Sequence, residues 1–137
     1  MQRIRSKSLQ LSTFQISHAS EPGALRIGAT RRPPRGVAKD RWQKDGYFDV
    51  WFPIVAPSAE LLGKHRPAPD SDPKVWNRFF AAYRRELLKP PASHAVALLA
   101  ALARQTPIAI GCYCADETRC HRSVLAEAIR RSAERLA

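Results

Sequence analysis

The sequence lacks any uninterrupted apolar stretch long enough to cross a bilayer or to serve as a signal peptide. A membrane-spanning helix needs roughly 20 consecutive apolar residues, and the apolar runs here are much shorter. The N-terminal segment begins with basic residues, but no continuous apolar region of signal-peptide length follows it. We therefore expect a cytoplasmic protein with no membrane partner.

Cysteine is scarce, and the number of cysteines is odd. The chain has 3 Cys among 137 residues. In a reducing compartment an odd set of thiols favours free, metal-bound or catalytic cysteines over disulfides. A disulfide-stapled secreted scaffold is therefore disfavoured, and the positions of the three thiols become informative.

Acidic residues are few compared with basic ones. The 12 Asp and Glu stand against 23 Lys and Arg, which gives a formal net charge of +11, and most of the surplus lies in residues 1–45. Such a surplus favours anionic partners. We expect either an anionic small molecule, with phosphates as the obvious candidates, or a nucleic acid contacted by the N-terminal third. An Arg-rich surface that only keeps the protein soluble is the alternative of equal weight.

The order of apolar patterns predicts the fold class. A chain of this length suits one domain, here residues 1–137. Strands are predicted at 9–16, 25–29, 48–55 and 107–113, and helices at 58–64, 72–89, 93–105 and from 120 onwards. This alternation predicts a single three-layer α/β domain with a small, mostly parallel sheet flanked by helices. Residues 1–23 form either an N-terminal strand of that domain or a basic arm.

All three cysteines fall where the last predicted strand meets the last predicted helix. The run 107–113 is apolar without alternation, which is typical of a central strand covered on both faces. Cys112 ends that run, and Cys114 and Cys120 follow before the helix. Ligands bind at this edge of open α/β sheets, and the partial positive charge of a helix N-terminus favours an ionised thiol. The cluster is therefore the predicted working site.

One interpretation of the cluster is a thiol-based catalytic site. Cys120 or Cys114 would act as the nucleophile, and His121 would accept or donate the proton. Arg119 and Arg122 would hold an anion. The candidate substrate-binding residues of this segment are Arg119, Arg122 and Ser123.

Two named anion-binding loops fit this segment poorly. A phosphatase loop needs Arg six residues after the nucleophile, but Thr118 and Cys120 stand at those positions. A rhodanese-like loop is matched in part by Cys114 and Arg119. However, residues 115–118 contain no glycine to turn the backbone amides inwards.

A second interpretation is a metal site. Thiolates and imidazole are ligands that zinc and iron accept, and the candidate ligands are Cys112, Cys114, Cys120 and His121. Their spacing departs from the usual zinc patterns, because it combines Cys-x-Cys with an adjacent Cys-His pair. For Cys112 alone, a role as a small core residue is the simplest interpretation.

A second basic feature is the arginine loop at residues 30–36. Its two prolines forbid a helix, and Gly36 permits a sharp turn. If the preceding strand runs parallel to 107–113, this loop emerges at the same sheet edge as the cysteines. Arg32, Arg35 and Gly36 are therefore further candidates for substrate binding, with a solvated basic turn as the alternative.

Four short motifs follow one another along the chain. They are Arg32-Pro-Pro-Arg35-Gly36-Val, Ala56-Pro57-Ser58 followed by Glu60-Leu61, Trp76-x-x-Phe79-x-x-x-Tyr83-x-x-Glu86-Leu87, and Cys120-His121-Arg122 with Leu125. In this order and spacing, over about residues 24–130, they resemble the domain of unknown function 488 family.

The resemblance implies a compact α/β fold and a set of pocket residues, but no particular reaction. Arg35-Gly36 and Cys120-His121-Arg122 match the family motifs and carry over as pocket candidates, and Cys114 stands where many members have Cys. Family members typically read Asp-Arg-x-Trp-Pro-Arg-Gly where this chain reads Ala-Thr-Arg-Arg-Pro-Pro-Arg-Gly, so the Asp and the Trp are missing. The leading hypothesis is a small enzyme or binding protein for a phosphorylated or otherwise anionic ligand. A nucleic-acid-associated module and a zinc or iron protein remain the alternatives.

Overall fold

A computed structural model describes residues 8–20, 22–114 and 116–136. Four strands form one sheet: β1 (Leu11–Gln15), β2 (Leu25–Gly28), β3 (Val50–Trp51) and β4 (Ile108–Cys112). Four α-helices accompany them: α1 (Ala59–His65), α2 (Pro73–Leu87), α3 (Ala92–Gln105) and α4 (His121–Leu136). No described helix combines the length and apolarity needed to cross a membrane.

All the strand pairs run parallel. The strand order is β1-β4-β2-β3, with Ile27 opposite Ile110 and Phe14 opposite Gly111. The last strand in sequence therefore inserts between the first two, and all five of its residues are buried. This placement explains the unbroken apolar run of β4. It confirms the predicted α/β class with a parallel sheet.

The two faces of the sheet are covered differently. Ile27 and Ile110 point into the main hydrophobic cluster, which α2, α3 and α4 complete. On the opposite face, the Phe48 ring lies against Gly28, where a Cβ would come within 2.6 Å of it. At Gly111, a Cβ would come within 2.5 Å of the Phe14 ring. Both glycines are required because the aromatic rings occupy the side-chain space.

Two helices begin at the residues that the sequence predicts. The Ser58 hydroxyl accepts a hydrogen bond from the Leu61 amide at 3.1 Å and caps α1. The Asp72 carboxylate accepts from the Lys74 amide at 2.8 Å and caps α2, whose first residue is proline. The predicted apolar stripe of α2 is buried: Trp76, Phe79, Phe80, Tyr83 and Leu87.

The third strand is shorter than predicted. The sequence predicts extended structure over 48–55, but only Val50–Trp51 pair with β2, and Pro53–Val55 form a 3-10 turn. Pro53 has no N–H to donate to a neighbouring strand, so it ends the pairing.

At the N-terminus, β1 pairs with β4 along its whole length, so residues 11–15 belong to the sheet. Of the two alternatives for the segment 1–23, an N-terminal strand or a basic arm, the strand is therefore correct for residues 11–15. Residues 1–7 and 21 lie outside the described residues.

Candidate functional site

The three cysteines converge at the carboxyl end of β4. Cys112 is the last residue of the strand, Cys114 follows on the exit loop, and Cys120 directly precedes α4. The Cys112 Sγ lies 3.8 Å from the Cys114 Sγ. Cys112 and Cys120 are buried, whereas Cys114 is partly exposed. Of the three thiols, Cys114 is therefore the one that a ligand can reach most easily.

Hydrogen bonds within the cluster separate the three pKa values. Bonds from the thiols of Cys112 and Cys120 lower the pKa of Cys114 far below its ordinary value, and the positive charge of Arg66 acts in the same direction. The bond to Cys114 raises the pKa of Cys112 to about 11. The pKa of Cys120 is raised by its bonds to both other thiols. Two thiols thus keep their protons and stabilise a thiolate at Cys114.

His121 links the cluster to the segment that directly follows β2. Its Nε2 lies 2.5 Å from the carbonyl oxygen of Ala29, and its Nδ1 lies 3.7 Å from the Cys112 Sγ. Burial lowers the pKa of His121, so the ring is neutral at physiological pH. A neutral ring that donates from Nε2 to the carbonyl has an unprotonated Nδ1, which faces the Cys112 sulfur.

Arg122 supports the loop that carries Cys114. The residue is buried, its guanidinium donates a hydrogen bond to the Cys114 carbonyl oxygen, and it lies 3.7 Å from the Cys120 Sγ. A charged group at this place fixes the backbone of the loop and adds positive charge beside the sulfur atoms.

A cavity of about 580 Å³ opens over the cluster, a volume within the usual range of ligand sites. Its walls come from the loop after β2, from α1 and the connector that follows it, from α2, and from the cysteine segment. The polar and aromatic lining residues are Thr30, Arg31, Arg32, Arg35, Arg66, Trp76, Phe79, Cys112, Tyr113, Cys114, Arg119, Cys120 and His121. Five of the described lining residues are arginines, and none is an aspartate or a glutamate.

The five arginines are not equally available to a ligand. Arg31 donates to the carbonyl oxygens of Ala56 and Pro57, and Arg119 donates to that of Pro69. The guanidinium groups of Arg32, Arg35 and Arg66, which are exposed, bond to no other described group. These three arginines can therefore bind an anion without breaking an internal contact. Arg32, Arg35 and Arg66 are called the free arginines below.

The family model of the active DUF488-N3 subclade matches residues 11–133. The chain belongs to the DUF488 family. The match spans all four strands and every described wall of the cavity. Searches of the curated proteins and of the solved structures return no match for this DUF488 protein.

The structure of this DUF488 protein brings most of the predicted site residues together. The parallel pairing of β2 with β4 places the arginine loop and the cysteines at one sheet edge. Seven predicted residues line the cavity: Arg32, Arg35, Cys112, Cys114, Arg119, Cys120 and His121.

Three predicted substrate-binding residues are absent from the described cavity wall. Gly36 has a φ of +75°, so its role is to permit the turn that follows Arg35. Arg122 holds the Cys114 loop from behind. The Ser123 hydroxyl donates to the Cys120 carbonyl at 3.0 Å, within the first turn of α4.

Several residues of the cavity were not predicted from the sequence, notably Arg66, Thr30 and Tyr113. Arg66 lies in a Pro-rich connector far from the cysteines in sequence, and only its Arg-Pro pairing, similar to that of the arginine loop, hints at it. Trp76 and Phe79 are predicted as core residues, and they are buried, yet they also form part of the cavity wall.

The same cluster contains a possible metal-ligand set. The ligand atoms of Cys112, Cys120 and His121 all lie within 4.8 Å of one another. The Cys112 Sγ lies 3.8 Å from the Cys114 Sγ and 3.7 Å from the His121 Nδ1. In a tetrahedral zinc site with Zn–S bonds, neighbouring ligand atoms lie about 3.8 Å apart. The observed separations are therefore close to those of a zinc site. The bond from His121 to a backbone carbonyl is also the support that metal-bound histidines usually have.

Proposed function

We propose that this DUF488 protein is an enzyme that binds a phosphate-bearing, anionic substrate and attacks it with the thiolate of Cys114. One observation carries the proposal. Cys114, the partly exposed member of the cluster, lies in a cavity whose described walls contain five arginines and no carboxylate. The description of the matching subclade as active agrees with an enzymatic role.

The arginines account for the binding of the substrate. Guanidinium groups bind phosphate oxygens in pairs of parallel hydrogen bonds. The free arginines stand on two separate loops, so an anion can be held from two sides above Cys114. With no carboxylate among the described lining residues, nothing there neutralises the positive field.

The thiols account for the chemistry. The resting nucleophile is the Cys114 thiolate, to which the Cys112 thiol donates a hydrogen bond at 3.8 Å, and neutral His121 lies beside Cys112 at 3.7 Å. The Cys114 Sγ forms a bond to the electrophilic atom of the substrate, and the bond to the leaving group breaks. The leaving group departs with the electron pair and takes a proton from solvent. Water then attacks the same atom, displaces the sulfur as the thiolate and releases its proton to solvent, which completes a hydrolysis.

Cys120 is a weaker candidate for the nucleophile than Cys114. Its side chain is 1% exposed, and hydrogen bonds to both other thiols raise its pKa. We assign Cys112 and Cys120 the role of donors that stabilise the Cys114 thiolate.

Selective alkylation tests the proposal without knowledge of the substrate. Iodoacetate and iodoacetamide are close in size, but only iodoacetate is an anion. We expect iodoacetate to react with Cys114 at least about tenfold faster, relative to iodoacetamide, than it does with free cysteine, because the arginines concentrate anions at the thiolate. Mass spectrometry of the digested protein identifies the modified cysteine, and inorganic phosphate should slow its modification.

Two double variants separate the cavity from the overall charge of the protein. Arg32→Gln with Arg35→Gln should abolish the preference for iodoacetate. Lys89→Gln with Arg130→Gln removes the same charge at exposed positions outside the described cavity wall and should keep the preference. The proposal would be contradicted if a different cysteine were modified, or if both double variants lost the preference for iodoacetate equally.

The spacing of the sulfur atoms and the imidazole favours one second candidate, a zinc or iron site formed by Cys112, Cys114, Cys120 and His121. Elemental analysis of protein purified without a chelator or a nickel column separates the two candidates. One equivalent of metal with all three thiols masked would assign these residues as ligands. No bound metal, with Cys114 titrating well below the free-cysteine pKa of about 8.5, would support the thiolate enzyme.

A further inference from the structure

A second groove continues from the cavity along α2. It has a volume of about 670 Å³ and shares two residues, Arg66 and Phe79, with the cavity over the cysteines. From there it runs beside the exposed face of α2, past Arg78 and Arg85. The two recesses are therefore neighbours, and the thiol cluster lies in the first of them.

The charged side chains among the described lining residues of the groove are all arginines. Arg66, Arg78 and Arg85 line it, and none of its described lining residues is an aspartate or a glutamate. The guanidinium groups of Arg78 and Arg85, like that of Arg66, bond to no other described group. By contrast, the neighbouring Arg84 faces away and pairs with Glu127 at 3.6 Å. Positive charge without internal compensation is thus concentrated on the groove side of α2.

The spacing of these charges suits a chain of phosphates. Arg78 and Arg85 are seven residues apart, so they lie about 10.5 Å apart along the helix axis. One phosphate held in the cavity by the free arginines would be followed by further contacts at Arg78 and Arg85. A single inorganic or sugar phosphate would leave these last two arginines without a role.

Aromatic groups at the cavity favour a nucleotide over other anionic chains. Tyr113 is 40% exposed at the cavity wall, and its hydroxyl donates to the Arg32 carbonyl at 3.0 Å, which fixes the ring. Trp76 and Phe79 form part of the same wall. Bases of single-stranded nucleic acids stack on such rings, whereas an acidic peptide gains nothing comparable from them.

We infer that the substrate is a single-stranded nucleic acid. One nucleotide occupies the cavity beside Cys114 with its base against Tyr113, and the flanking phosphates lie on Arg66, Arg78 and Arg85. A paired base cannot enter a recess of this size without leaving its duplex, so the unpaired strand is the preferred form. This inference deepens the proposed function and rests on it for the chemistry, but not for the binding.

Fluorescence anisotropy tests the binding directly. The probe is a labelled single strand of mixed sequence and about twelve nucleotides, as DNA and as RNA, titrated with the full chain between about 50 and 200 mM salt. We expect Arg78→Glu with Arg85→Glu to weaken binding at least about tenfold and to lower the salt slope by about 1.4. Lys89→Glu with Arg130→Glu, an equal change of charge outside both recesses, should weaken it no more than about threefold.

Three outcomes of this titration would overturn the inference. Equal loss in the two double variants would show attraction by overall charge alone. A duplex of the same sequence that binds as tightly as the single strand would exclude the unpaired form. Polyglutamate that competes as well as the unlabelled strand would indicate an acidic peptide instead.

A further measurement keeps the inference separate from the proposed chemistry. Cys114→Ser should bind the strand at least as tightly as the unchanged protein, because it keeps every arginine and removes only the negative charge of the thiolate. In the unchanged protein, the bound strand should slow alkylation of Cys114 at least about tenfold. Binding in the groove without this protection would refute entry of the strand into the cavity. Protection without any preference for iodoacetate would refute only the proposed function.

Discussion

The Nε2 atom of His121, in the first turn of α4, lies 2.5 Å from the carbonyl oxygen of Ala29, directly after β2. The bond joins two segments that are 92 positions apart in the sequence. It holds the arginine loop and the cysteine cluster in a fixed relation to each other, because the same imidazole also faces Cys112.

His121→Ala should therefore destabilise the protein and loosen the site. The change leaves the buried Ala29 carbonyl without its donor and opens space beside Tyr83, whose ring packs edge-on against the imidazole. We expect a loss of about 2–3 kcal/mol in the free energy of unfolding, measured by urea denaturation. Ser123→Ala, which removes a hydroxyl bonded within α4, serves as the control and should cost less than about 1 kcal/mol. If both variants lost the same free energy of unfolding, the bond from His121 to Ala29 would contribute no more to stability than the Ser123 hydroxyl does.

Arg122→Met should change the reactivity of Cys114 but leave the described wall of the cavity intact. The buried guanidinium supports the loop through the Cys114 carbonyl, so its loss removes a charged donor worth about 1.5–3 kcal/mol. We expect the alkylation rate of Cys114 to change while phosphate still protects it, since the free arginines remain. Complete loss of phosphate protection would instead assign Arg122 to the binding of the anion.

Tyr83→Phe tests the attachment of α2 to the segment after β3. The Tyr83 hydroxyl donates to the Val55 carbonyl at 2.5 Å, and the side chain is fully buried. Removing it leaves a buried acceptor unsatisfied, which should cost about 1–3 kcal/mol in chemical denaturation. Tyr113→Phe is the matched control, because its hydroxyl bond is exposed and its loss should change stability by less than about 0.5 kcal/mol.

Asp49 should make the stability of the protein depend on pH in the acid range. Burial raises the pKa of its carboxyl, but the hydrogen bonds from Arg26 and Gln43 outweigh this effect, so the pKa is lowered overall. Arg26 and Asp49 form a largely buried ion pair at 3.0 Å. A lowered folded-state pKa stabilises the native state above the unfolded-state value of about 3.9, and this stability is lost as pH falls through the folded-state pKa.

The corresponding measurement is the free energy of unfolding at several pH values between about 2 and 7. Asp49→Asn should be less stable at neutral pH than the unchanged protein. Its free energy of unfolding should also fall less steeply as the pH is lowered. Asp116→Asn provides a comparison, because that carboxyl also has a lowered pKa, owing to bonds from Thr118, but it is exposed. If Asp49→Asn leaves the fall in the free energy of unfolding at low pH unchanged, this carboxyl does not cause that fall.

Local chemistry in the sequence determined the elements of this protein. The unbroken apolar run of β4 indicated a strand covered on both faces, and Asp72-Pro73 marked the start of α2. The convergence of Cys112, Cys114 and Cys120 was also predictable, because they lie within nine consecutive residues around one strand end. Short-range patterns of this kind depend on neighbouring residues and need no knowledge of distant ones.

Tertiary structure alone decided which side chains share the cavity and which of them lie behind its wall. Arg66 enters its wall from a Pro-rich connector far from the cysteines in sequence, whereas Arg122 turns behind the Cys114 loop. Which thiol is reachable was equally undetermined by spacing, because adjacent residues at the start of a helix point in different directions. These directions follow from loops fixed by long-range contacts, such as the bond from His121 to Ala29. The sequence therefore located the thiol cluster, and packing across the sheet edge decided which other side chains surround it.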